Sequence, residues 1–108
     1  MCEFQSLYYE DDGYVVHCKD CGYYQVAFGN TMLSLSPDDY IALTKVVKRK
    51  HYNVDFSASE NTRNVVIPTP SQGMYLLLTK NEATRLHEIL EEADTEEKAQ
   101  TLINLFNQ

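Results

Sequence analysis

Hydrophobic positions in the first third of the chain recur with the period of a β-strand. Glu3 to Glu10 and Tyr14 to Cys18 are rich in aromatic and β-branched residues, with Asp11-Asp12-Gly13 between them. Acidic residues followed by glycine mark a tight hairpin; centred there, the turn predicts that Glu10 faces Tyr14. A second pair, Tyr23 to Phe28 and Met32 to Leu35, turns at Gly29-Asn30. Leu33 and Leu35 share one face, with Met32 out of phase.

At Ser36 the period changes. Ser36 is a hydroxyl N-cap, Pro37 suits the first helical position, and Asp38 and Asp39 suit the positive end of the helix dipole. Tyr40, Leu43 and Val47 then form a helical stripe that Ile41, Thr44 and Val46 widen, and Lys48-Arg49-Lys50-His51 closes the helix. Val54 to Ser57 reads as a short strand and Ser59 to Asn64 as a polar loop. Val65 to Ile67 and Met74 to Leu78 form a further strand pair. Thr79-Lys80-Asn81-Glu82 has capping-box spacing, followed by the stripe Leu86, Ile89, Leu90 and Ala93. Asp94-Thr95-Glu96-Glu97 interrupts that stripe, which predicts a third helix with Ala99, Leu102, Ile103 and Phe106 on its apolar side.

The two halves run alike: strand, turn, strand, hydroxyl cap, helix. Setting Ser36 over Thr79 superposes Leu33 on Leu76, Leu35 on Leu78, Leu43 on Leu86 and Val47 on Leu90. Either the chain holds two ββα units, or common elements match by chance. Both readings give an α+β fold in which an antiparallel sheet carries two or three helices on one face.

Composition narrows the class. With 108 residues, 44% hydrophobic and 23% charged, the chain has the size of one domain, 1–108, and buries enough surface to fold without a staple. A net charge of -7 disfavours nucleic acid and anionic membranes as partners. The longest purely apolar stretch, Met74 to Leu78, is far short of a spanning helix. Met1-Cys2-Glu3-Phe4 places an acid where a secretory leader carries positive charge. Three cysteines without an export signal point to reduced thiols and a cytoplasmic protein.

Those cysteines carry the only chemical signature. Cys18-Lys19-Asp20-Cys21-Gly22 places two thiolates where one zinc can be gripped from a turn between strands, with the glycine free to adopt a left-handed conformation. Counting back from Glu10 opposite Tyr14 brings Cys2 opposite Gly22, so that all three thiols converge. The metal candidates are therefore Cys2, Cys18, Cys21 and, as fourth ligand at the end of the first helix, His51. His17, Asp20 and water are alternatives, although His17 points to the opposite strand face from Cys18.

Rival readings of the pair are weaker. A thioredoxin-like dithiol sits where a helix begins, whereas strand follows here. Haem attachment needs histidine at position 22, and a disulfide is disfavoured in a reducing compartment. A redox or metal sensor, or an enzyme using Cys18 and Cys21, is the alternative function.

Elsewhere the bland reading prevails. Lys45 to His51 is the solvated end of a helix, and the acidic residues from Glu88 to Glu97 are a solvated face. His87 reads as solvent-facing. Tyr8, Tyr9, Tyr14, Tyr23 and Tyr24 divide between core and a partner-binding face. No phosphate loop, dinucleotide fingerprint or catalytic triad is present.

With Cys2, Cys18-x-x-Cys21-Gly22 and Gln25-Val26-Ala27-Phe28-Gly29-Asn30, the first third to half of the chain resembles a group of small bacterial proteins of unknown function. That resemblance implies no activity, cofactor or partner. The expectation is a binding protein with a structural zinc, acting on a protein partner or as a homodimer through a sheet face or the last helix.

Overall fold

A computed structural model describes residues 3–53 and 61–107. Six strands and two helices follow in the order β1 (Phe4–Glu10), β2 (Gly13–Cys18), β3 (Tyr24–Phe28), β4 (Thr31–Leu35), α1 (Pro37–Tyr52), β5 (Val65–Pro68), β6 (Tyr75–Leu78) and α2 (Lys80–Phe106). The fold is α+β. The strands make two antiparallel sheets, a four-stranded β1-β2-β3-β4 meander and a separate β5-β6 pair, where the sequence predicted one sheet. Val54 to Ser57 lies outside the described residues.

The chain divides into two compact units, Met1–Ser36 with Ile89–Gln108, and Pro37–Glu88. In the first, Leu7, Val15, Tyr24, Val26, Leu33 and Leu35 of the sheet are buried, as are Ile89, Leu90 and Ala93 of α2. In the second, Tyr40, Leu43 and Val47 of α1 are buried with Val65, Ile67 and Leu78 of the strand pair and Ala83 and Leu86 of α2. The stripes predicted for the first two helices thus supply both cores. At these sizes, burial of each aliphatic side chain contributes roughly 1.5–3 kcal/mol.

The first hairpin departs from its predicted register. Glu10 pairs with Gly13 and Tyr9 with Tyr14, so Asp11-Asp12 alone makes the turn. Gly13 does not have positive φ; it is required because a Cβ there would run into the Ala27 carbonyl of the neighbouring strand. An irregularity between Ser6 and Tyr8 then shifts the pairing by one more residue, so that Phe4 faces Cys18. Such a bulge inserts an extra residue into one strand, and the inserted Leu7 is buried. The second turn is as expected: Phe28 pairs with Thr31 around Gly29-Asn30, and Gly29 takes φ 61°.

α2 is one helix of 27 residues, so the predicted break at Asp94 to Glu97 does not occur. No Gly or Pro stands there, and the turn is tied by Lys98 to Asp94 at 2.9 Å and by Thr95 Oγ1 donating to the Glu91 carbonyl at 3.1 Å. The orientation of its last third is also reversed. Ala99, Leu102, Ile103 and Phe106 are exposed, while Glu97 and Gln100 are half-buried. The start of α2 is as read: Glu82 Oε1 accepts from the Thr79 amide at 2.9 Å, and Thr79 Oγ1 accepts from the Glu82 amide at 3.1 Å.

Candidate metal centre

The Cys18–Cys21 turn joins β2 to β3, so the pair sits between strands and not at a helix N-terminus. The turn is closed by its own backbone. The Cys18 amide donates to the Tyr23 carbonyl at 2.8 Å, and the Gly22 amide to the Cys18 carbonyl at 2.9 Å. Gly22 holds φ 82°, a conformation that costs an L-residue roughly 1–2 kcal/mol. The Cys21 amide donates to Cys18 Sγ at 3.4 Å, a contact that stabilises negative charge on sulfur. Cys18 is buried and Cys21 exposed.

The N-terminal strand is tied to this turn from outside. The Lys19 amide donates to the Glu3 carbonyl at 3.2 Å, and the Glu3 amide donates to Asp20 Oδ2 at 3.0 Å. Cys2 lies outside the described residues, among which no group of three or more His, Cys, Asp or Glu side chains is arranged to hold a metal. Of the predicted ligands, Cys18 and Cys21 share this turn, with the Cys21 amide on Cys18 Sγ.

His51 belongs to the other unit, in the last turn of α1. Its Nδ1 lies 3.3 Å from Thr84 Oγ1, and its ring stacks on His87 with centroids 4.5 Å apart. His87 is accordingly half-buried, not solvent-facing. His17 and Asp20 are engaged elsewhere, Asp20 by the Glu3 amide and His17 on the covered face of the sheet.

On that face stands a cluster the sequence did not reveal. Tyr24 donates its hydroxyl to Glu97 Oε2 at 2.7 Å, and His17 Nδ1 lies 3.5 Å from the same oxygen. The His17 and Tyr24 rings stack with centroids 4.2 Å apart. Burial, then the hydrogen bond to Glu97 and the charges of Glu97 and Asp94, hold the Tyr24 phenol well above its usual pKa. Glu97 is therefore a fixed acceptor and not part of a solvated face. Tyr24 and Glu97 are 73 positions apart, and no local pattern links them.

The family model described as a family of unknown function, DUF6686, matches residues 1–107. The chain belongs to this family. No curated protein and no solved structure matches it. Nearly the whole chain is thus covered, beyond the N-terminal part on which the sequence resemblance rested. No helix among the described residues is long and apolar enough to cross a membrane.

Proposed function

We propose that this family member is a small binding protein whose N-terminal sheet is stiffened by a structural zinc held by Cys2, Cys18 and Cys21. The observation that carries this reading is the amide of Cys21 donating to Cys18 Sγ in a turn that Gly22 closes with positive φ. Such a turn prepares a sulfur to bear charge before any metal arrives. Glu3, whose amide is held by Asp20, is joined to Cys2 by one peptide bond, a Cα step of about 3.8 Å. That tether supports the terminal thiol as third ligand.

Full burial of Cys18 and a turn flanked by strands favour a closed structural site over thiol catalysis. Reduced thiols of this kind suit a cytoplasmic protein. The binding surface is assigned to the end of α2, where Leu102, Ile103, Leu105 and Phe106 are all more than half exposed and fit a protein partner or a second copy.

Protein purified without chelator should carry about one zinc per chain by mass spectrometry, and chelation should lower its melting temperature. Cys18→Ser and Cys21→Ser should abolish stoichiometric zinc. A metal-free protein whose melting is indifferent to chelator overturns the reading. Light scattering that finds a dimer dissociated by Leu102→Glu supports self-association through α2. A monomer at all concentrations leaves only a separate partner for that surface.

A further inference from the structure

The Cys18–Cys21 turn presents its two sulfurs unequally. Cys18 is wholly buried, while Cys21 stands exposed. The two are nonetheless within reach of each other. The Cys21 amide nitrogen lies 3.4 Å from Cys18 Sγ, and the Gly22 amide closes the turn onto the Cys18 carbonyl at 2.9 Å. A turn of this kind keeps Cα atoms three positions apart within about 7 Å. A disulfide bridges roughly 4.4–6.8 Å between Cα atoms, so the backbone has little or no distance to make up. Gly22 carries the positive φ of 82°, which leaves both cysteines in unstrained backbone. Rotation of the Cys21 side chain about its Cα–Cβ bond is then the motion that brings the sulfurs together. An exposed thiol with a shielded thiol beside it is the arrangement in which an oxidised sulfur is captured before it is oxidised further.

We propose that Cys21 is a site of oxidation by hydroperoxides and that Cys18 resolves it as a disulfide, which empties the zinc site. Only that last consequence rests on the zinc reading above. In the first step the Cys21 sulfur attacks the O–O bond; the thiol becomes a sulfenic acid and the hydroperoxide leaves as an alcohol, or as water where it is hydrogen peroxide. In the second, the Cys18 sulfur attacks Cys21, the S–O bond breaks, and water carries off the hydroxyl with the Cys18 proton. Two electrons pass from the pair to the peroxide bond. Starting from zinc-bound thiolates, the same conversion draws two protons from solvent and sets the ion free. Thiolates hold the metal and disulfide sulfurs do not, so two of the three proposed ligands are lost together. Thiol reductants restore the pair, which makes the conversion compatible with a reducing compartment.

The test is hydrogen peroxide treatment of the full chain as purified, followed by intact and peptide mass spectrometry, with released zinc read by a chromogenic chelator. A loss of about 2 Da per chain is expected, mapped to Cys18–Cys21 and reversed by dithiothreitol, with zinc released in step. Cys18→Ser should leave Cys21 as a sulfenic acid that dimedone traps. In Cys21→Ser the buried Cys18 should oxidise on the order of tenfold more slowly than Cys21 does in Cys18→Ser. Cys2→Ser leaves Cys18 and Cys21 in place; it should still form the bridge, and it carries the test should the other variants unfold. A bridge mapped to Cys2, oxidation of Cys21 to sulfinic acid without a bridge, or thiols indifferent to peroxide overturns the proposal. The zinc reading is judged separately: a zinc-free chain that forms the bridge sinks the metal and keeps the oxidisable pair, and a zinc-loaded chain that holds its metal and thiols under peroxide does the reverse.

Discussion

Two glycines set the N-terminal hairpins for different reasons. Gly13 is demanded by the approach of the Ala27 carbonyl, so Gly13→Ala should destabilise by about 1–3 kcal/mol, read as a lowered urea midpoint. Gly22 is demanded by its φ of 82°, and its replacement should also weaken the Cys18–Cys21 turn. Tyr24 provides a pH signature. Its phenol titrates higher in the folded protein than its ordinary value of about 10, because burial and Glu97 disfavour the phenolate. The stabilisation it provides is thus complete below about pH 10 and is lost as pH rises beyond it. The stability difference between the wild type and Tyr24→Phe should be constant at neutral pH and shrink in alkaline solution. A difference that grows above pH 10 would contradict this account of the hydroxyl.

The elements were legible where their determinants are local. Thr79 and Glu82 satisfy each other within a single turn, so the start of α2 could be read from four consecutive residues. Thr79→Ala should cost about 1 kcal/mol, measurable by denaturation. The register of β1 was not legible, because the bulge beside Leu7 leaves the alternation of neighbouring residues intact while moving every partner beyond it. The last third of α2 misled for a different reason. Its apolar side predicts the buried side, yet Glu97 and Gln100 turn inward to meet Tyr24 and the Ser6 carbonyl. Those partners come from strands at the other end of the sequence. Leucine and phenylalanine are left outside on that helix end.

At the scale of the whole molecule, the CxxC turn was visible because its residues are consecutive, and the Tyr24–Glu97–His17 cluster was hidden because folding alone assembles it. The turn and the cluster share a stretch of chain, since His17 of the cluster directly precedes the Cys18 that opens the turn.

The most direct measurement is zinc K-edge X-ray absorption on protein purified in its native metal state. Three sulfur neighbours at about 2.3 Å are expected. Zinc surrounded by oxygen and nitrogen alone, or no zinc at all, would contradict a thiolate centre in this family member.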